Sequence, residues 1–189
     1  MEKILFVNAC VRPGSRTREL AKLAISRMSG VVETIDLESA GIAPLTGAAL
    51  QERSAALDHG DSASPLLQYA RQFAAADRIV IAAPYWDLSF PALLKTYIES
   101  INVVGLTFQY NASGIPESLC RAKALYYITT AGGPIFADLG FDYVKTVAEA
   151  FYQIPTIVCI RAEGLDVVGA DVNGIMDAAR AEILRILTA

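Results

Sequence analysis

Three short segments of the chain carry residue types able to do chemistry, and none reads like an ordinary surface loop. The first is Asn8-Ala9-Cys10-Val11-Arg12-Pro13-Gly14-Ser15-Arg16-Thr17-Arg18. Gly14 permits a tight turn, Ser15 and Thr17 supply hydroxyls, and a helical period begins directly after them. Free N–H groups at a helix N-terminus, with hydroxyls and guanidinium groups beside them, form a seat for one phosphate. Ser15 capping a helix beneath solvated arginines would explain the same residues. Both readings stand for this segment taken alone. The segment lacks G-x-G-x-x-G, which argues against a dinucleotide bound in the Rossmann manner at this turn. It also lacks G-K-[ST], which argues against a P-loop NTPase.

The second segment is Pro84-Tyr85-Trp86-Asp87-Leu88-Ser89-Phe90-Pro91, with two large aromatics where loops usually carry small polar residues. A flat heteroaromatic ring such as an isoalloxazine needs a wall to lie against and main-chain groups along its polar edge. Prolines at both ends would stiffen such a wall. Tyr85 and Trp86 as core or interface aromatics is the alternative, and their position at a strand end favours the ligand. The third segment is Thr129-Thr130-Ala131-Gly132-Gly133-Pro134. Paired glycines let a backbone approach a ligand closely, and Thr130 adds a hydroxyl.

The elements that must position these segments follow from hydrophobic period. Five β-branched-rich runs, Ile4–Val7, Val31–Leu37, Ile79–Ala83, Ala124–Thr129 and Thr156–Ile160, alternate with helical stretches. Four of the runs are nearly all apolar, as central parallel strands buried on both faces should be, whereas Val31–Leu37 alternates and belongs nearer an edge. Helical faces are Leu20/Leu23/Ala24/Met28, Leu66/Ala70/Phe73, Leu94/Ile98/Ile101, Phe141/Val144/Ala148/Phe151 and Ile175/Ala179/Ile183/Leu187. The fold class is therefore α/β, a doubly wound five-stranded parallel sheet with helices on both faces. In such a sheet ligands bind beyond the carboxyl ends of the strands, where strand order reverses. The three segments follow the first, third and fourth strands, so they converge there. Residues 38–63 read as a long connection carrying the only histidine, His59, expected to face solvent. Residues 102–121 read as an excursion beyond the sheet with room for a short hairpin. Val103, Val104, Leu106 and Phe108 are expected to be exposed on it.

Composition bounds the remaining classes. The 189 residues, 53% hydrophobic and 19% charged, suit one domain over residues 1–189 with a substantial core. A net charge of −4 argues against nucleic acid, whose binders usually show a basic face. The longest apolar run, Ile79–Trp86, is too short for a bilayer, and the N-terminus resembles neither a signal nor a transit peptide. Cys10, Cys120 and Cys159 have neither disulfide nor metal-ligand spacing, so the expected place is the cytoplasm, with packed free thiols.

As a set, these segments resemble the FMN-dependent NAD(P)H oxidoreductases of the flavodoxin-like fold, the group of azoreductases and NAD(P)H quinone reductases. The resemblance is carried by S-R-T at Ser15–Thr17 and by P-Y-W-D-L-S-F-P-A-L-L-K-T-Y-I at Pro84–Ile98. It continues through G-L-T-F at Gly105–Phe108 and T-T-A-G-G at Thr129–Gly133. It implies that Ser15, Arg16 and Thr17 hold the phosphate of FMN. Pro84, Tyr85, Trp86, Asp87 and Leu88 would lie along the flavin, and Thr130, Ala131, Gly132 and Gly133 would meet its other edge. It further implies NADH or NADPH as donor, a quinone or azo compound as acceptor, ping-pong hydride transfer through the flavin, and a homodimer. The flavin then carries the chemistry, and no catalytic side chain or metal is expected. Many azoreductases read Pro-Met-Tyr-Asn-Phe where this chain has Pro84-Tyr85-Trp86-Asp87-Leu88. An ionised aspartate accepts a hydrogen bond from flavin N3–H but cannot donate one as an asparagine amide does. A flavodoxin-type electron carrier would share fold and cofactor, and a non-flavin α/β binding module would share the fold alone. Cys10 and Lys95 read as a packed side chain and a surface or ion-paired charge.

Overall fold

The computed structural model describes residues 1–61 and 63–187. Ser62, inside the long connection, and Thr188 and Ala189, at the end of the expected domain, lie outside the described residues. Five strands form one parallel sheet: β1 (Lys3–Asn8), β2 (Val31–Asp36), β3 (Arg78–Ala82), β6 (Ala124–Thr130) and β7 (Thr156–Ala162). Strands β4 (Phe108–Tyr110) and β5 (Pro116–Ser118) form a separate antiparallel hairpin, which fills the room the 102–121 excursion offered. The helices are α1 (Arg16–Ser26), α2 (Gly47–Asp58), α3 (Gln68–Ala75), α4 (Ala92–Ile101), α5 (Leu139–Ala150) and α6 (Val172–Leu187).

Sheet order is β2-β1-β3-β6-β7, so the chain winds outward one way from β1 to β2 and the other way from β3 onward. Alternating strand residues supply the two faces of the core. Leu5, Val7, Ile79, Ile81, Leu125 and Tyr127 pack against α3, α4 and α5, contributing with Phe73, Leu94 and Val144. Ile4, Phe6, Val80, Tyr126 and Ile128 pack against α1 and α6, with Leu20, Ala24, Met176 and Ile183. Residues buried on both sides explain why these strands are apolar throughout. Truncating Leu94 or Ile183 to alanine would cost about 2–5 kcal/mol.

Three expectations are corrected. Thr156–Ile160 is not a central strand: β7 pairs only with β6 and forms the sheet edge opposite β2. Its apolar residues reflect helices above and below it, a signal that reports burial but not pairing. Residues 38–63 are not all loop, because they contain α2, capped by the Thr46 hydroxyl accepting from Ala49 N–H at 3.2 Å. The helix buries no residue fully, so no apolar period announced it. On the excursion, Val103 and Phe108 are buried, Leu106 is half-buried and, of the four, Val104 alone is exposed. Val103 packs with Leu67 and Ala70, and Phe108 lies 4.7 Å from the Phe151 ring centroid. The turn preceding β4 is held from inside by Thr107, whose hydroxyl donates to Ile101 O at 2.7 Å and accepts from Val103 N–H.

Candidate functional site

Beyond the carboxyl ends of β1, β3, β6 and β7 lies a cleft of about 450 Å³, at the point where strand order reverses. That volume lies within the usual range of small-ligand sites. It is built first by the β1–α1 loop. Asn8 ends β1 and holds the loop start, its Oδ1 accepting from Cys10 N–H at 3.2 Å and its Nδ2 donating to Asp36. Arg12-Pro13-Gly14-Ser15 then reverses the chain, with Gly14 at φ +69° as a Pro-Gly type II turn requires. Arg18 Nη2 donates to Arg12 O at 3.0 Å and braces this turn. Ser15 caps α1, its Oγ accepting from Arg18 N–H at 3.3 Å. The N–H groups of Arg16 and Thr17, first in the helix, have no intrahelical acceptor and open toward the cleft mouth.

The second wall is the segment after β3. Tyr85 N–H donates to Thr130 O at 3.0 Å, and the Tyr85 hydroxyl donates to Ala137 O at 2.8 Å, fastening this loop to the one after β6. Trp86 and Ser89 exchange both backbone hydrogen bonds, at 3.0 and 2.8 Å, around Asp87 (φ 50°) and Leu88 (φ 66°). Two successive positive φ values make this a type I′ turn, a conformation a leucine adopts only at a cost. Gly140 at the start of α5 allows this loop to sit close, since a β-carbon there would stand 3.1 Å from the Ser89 carbonyl carbon.

The third wall is the glycine segment. Thr130 Oγ1 lies 2.7 Å from Thr17 Oγ1, a hydrogen bond that ties the first turn of α1 to the end of β6. The segment is clamped by residues after β7: Leu165 N–H donates to Ala131 O, Asp166 N–H to Gly132 O and Gly164 N–H to Gly133 O. Among the described residues these bonds use the carbonyls of Gly132 and Gly133 and leave both N–H groups free of backbone partners.

Of the residues singled out in the sequence, Ser15, Arg16, Thr17, Pro84, Tyr85, Trp86, Thr130, Ala131 and Gly132 line this one cleft. Asp87, Leu88 and Gly133 do not line it; Asp87 and Leu88 form the outer tip of the type I′ turn. Cys10, Val11, Arg12, Pro13 and Gly14 of the first segment line it as well, and two lining residues lie outside all three segments, Leu165 and Asp166. Composition does not mark them, but sheet topology does, because in a parallel sheet the loop after the last strand opens on the same end as the others.

Of the charged residues that line the cleft, Arg16 and Asp166 form an ion pair. Arg16 Nη1 donates to Asp166 Oδ1 at 3.0 Å and to Leu165 O at 3.4 Å, bridging two ends of the chain. The Arg12 guanidinium lies over the Trp86 ring, 5.9 Å from its centroid. Cys10 is buried with its Sγ 3.6 Å from Ala82 O, and that burial pushes its thiol up despite the Ser15 hydroxyl and the Arg18 charge. It is a packed thiol and not an activated one. His59 is exposed at the end of α2, and Lys95 pairs with Glu99. Among the described residues no cluster of His, Cys, Asp and Glu could hold a metal, and no helix is long and apolar enough to cross a membrane.

A family model described as the flavodoxin-like fold matches residues 2–187. The FMN-dependent NADH:quinone oxidoreductase 2 of Clostridium acetobutylicum is 38% identical over 193 residues, covering 93% of each chain. The azoreductase of Bacillus anthracis superposes with a TM-score of 0.84 at 23% identity, over 99% of each chain. A structure of an FMN-dependent NADH-azoreductase from B. anthracis in complex with FMN gives 0.82 at 20% identity, over 100% of this chain and 98% of that one.

Proposed function

Because the chain belongs to the flavodoxin-like fold family, we propose that it is an FMN-dependent NAD(P)H oxidoreductase whose acceptors are quinones or azo compounds. One observation carries this reading: loops after β1, β3 and β6 converge on a single switch-point cleft that combines a helix N-terminus with an aromatic wall. The names of its relatives support the same cofactor and donor.

The residues present fit FMN. The first-turn N–H groups of α1 and the Ser15 hydroxyl suit a terminal phosphate, whose charge the helix dipole favours. Tyr85 and Trp86 suit the apolar face of the ring, and the free N–H group of Gly132 suits its polar edge. When bound, FMN supplies the electron exchange between nicotinamide donor and acceptor. The chain's own part is to bind and orient. The Thr17–Thr130 bond keeps the phosphate seat in register with the glycine segment, and the Tyr85 bonds hold the aromatic wall against it. Asp166 pairs with Arg16 and holds that guanidinium beside the seat.

The protein should take up FMN, show a visible flavin spectrum, and lose that absorbance when NADH is added under nitrogen. Heat-released cofactor should have the mass of FMN. A colourless protein that takes up no FMN, or release of FAD alone, overturns the reading.

The proposal extends to residues 1–189 acting as one domain in a cytoplasmic homodimer. Val104, Tyr110, Ile115 and Leu119 leave apolar surface exposed around the hairpin, and a large patch of that kind rarely stays bare. The three cysteines are unpaired, which suits a reducing compartment. Light scattering should give twice the 20.3 kDa chain mass; a monomer at working concentration would refute the dimer.

A further inference from the structure

Arg12 and Arg16 line the cleft, Arg18 follows in the first turn of α1, and the fold uses the three differently. Arg16 is paired with Asp166, and Arg18 is turned back onto the Arg12 carbonyl. The Arg12 guanidinium has no carboxylate partner among the described residues and lies over the face of Trp86. It is exposed, and its backbone is held in place. Its backbone is pinned by the bond from Arg18 and by Pro13, which confines the preceding residue to extended geometry. The side chain starts from a fixed point and lies beside the aromatic wall, over Trp86. Its sign also runs against the molecule: the chain carries a net charge of −4, whereas Arg12 leaves the cleft mouth with an uncompensated positive charge.

We propose that Arg12 is a specificity-determining residue that favours flat aromatic acceptors bearing an anionic substituent, an aryl sulfonate or carboxylate. The proposal rests on the reading above that the cleft turns over aromatic acceptors. The acceptor ring takes the apolar surface beside Trp86 while its anion meets the guanidinium. Arginine suits this task better than lysine. Its planar fork matches an oxyanion with two parallel N–H donors, and its weakly hydrated face tolerates an aromatic neighbour. Association with Trp86 holds the cation in position before the ligand arrives, so less side-chain freedom is lost on binding. Placement over the indole separates Arg12 from the Ser15–Thr17 seat, where the helix N-terminus receives a different anion.

The test uses the FMN-loaded protein and two probes of nearly equal shape, anthraquinone-2-sulfonate and the neutral anthraquinone-2-sulfonamide. Equilibrium dialysis measures binding to the oxidised protein, and steady-state kinetics with NADH separate KM from kcat. A charge-assisted hydrogen bond justifies an expected preference of about tenfold for the sulfonate. That preference should appear in Kd and KM, leave kcat within about twofold, and shrink as salt screens the pair. Arg12→Gln should bring the ratio to about one by weakening the sulfonate alone, and Arg12→Lys should keep part of it. A ratio near one in the unmodified protein, or one that survives Arg12→Gln, overturns the proposal. So does a tenfold loss of FMN affinity in Arg12→Gln, which would place Arg12 in the phosphate seat. Should the protein take up no FMN at all, the functional reading falls, and the dialysis ratio still decides the role of Arg12.

Discussion

The carboxylate of Asp166 occupies the space in front of Gly132: a β-carbon built on Gly132 would stand 2.5 Å from Asp166 Oδ2. The close approach comes from a neighbour's side chain and not from the glycine's own backbone, which is not in the left-handed region. Asp166 is exposed and can swing aside, so Gly132→Ala should cost less than about 1 kcal/mol of stability. It should still separate Asp166 from Arg16, add a methyl group to the cleft wall and weaken FMN several-fold. If part of that loss runs through Asp166, the G132A/D166A double variant binds FMN more tightly than additivity allows. Dialysis on the four proteins of the cycle measures this; strictly additive losses would show that the two positions do not communicate.

Trp86 is half-buried in a loop, not packed in either core layer. Trp86→Ala should leave the melting temperature nearly unchanged and FMN mostly bound, while acceptor kinetics change several-fold. Aromatic pairing is worth about 0.5–1.5 kcal/mol beyond area burial. A drop in stability of about 3–5 kcal/mol, the cost of truncating a core aromatic, with normal kinetics per folded molecule would show the indole to be structural.

The hydroxyls of Thr17 and Thr130 satisfy each other at 2.7 Å, and Thr17 is buried. Thr17→Val keeps the shape but strands the Thr130 hydroxyl, so a loss of about 1–3 kcal/mol is expected in denaturant unfolding. Thr17→Ser should recover most of it. Equal stability of the valine and serine variants would mean that the pair contributes nothing.

Leu88 holds a positive φ that costs a side chain about 1–2 kcal/mol. Leu88→Gly removes that cost and only an exposed side chain, so the melting temperature should rise by about 2–4 °C. A fall would indicate that the leucine is covered in the assembled protein, for which a second copy of the chain is the natural candidate.

Burial pushes the Cys120 thiol up to about 12 from an ordinary value of 9.0, and buried Tyr97, Tyr127 and Tyr152 move in the same direction. Above pH 9 the unfolded chain releases these protons before the folded one does, so it binds fewer and stability falls with rising pH. The contribution of Cys120 is complete below pH 9 and is lost progressively toward 12. Thermal unfolding from pH 8 to 11 should show this decline, with a shallower slope in Cys120→Ala. Equal slopes would place the alkaline sensitivity elsewhere.

How far the sequence could be read differs by the kind of force involved. The central strands were legible because residues such as Ile79–Ile81 and Leu125–Ile128 are buried on alternate faces, so apolar runs mark them directly. The three loops were legible because arginine, indole and paired glycine are unusual at strand ends. The edge position of β7 was not, since half-buried Ile157 and Val158 look like core residues. Nor was the Arg16–Asp166 pair, which joins exposed charges 150 positions apart. Such pairs leave no periodic trace, and only the folded sheet brings them together.

Helix α2 buries no side chain fully, and a helix of 12 residues is marginal on its own in water. What retains it is slight: Arg53 Nη1 donating to Glu99 O at 3.1 Å, and partial contact of Ala56 and Leu57 with the small cluster at Leu67 and Val103. Its amides should therefore exchange with solvent through a local opening that leaves the five-stranded sheet intact. A protease should cut first within residues 47–58, and the nicked chain should keep its core assembled and its cleft competent to bind.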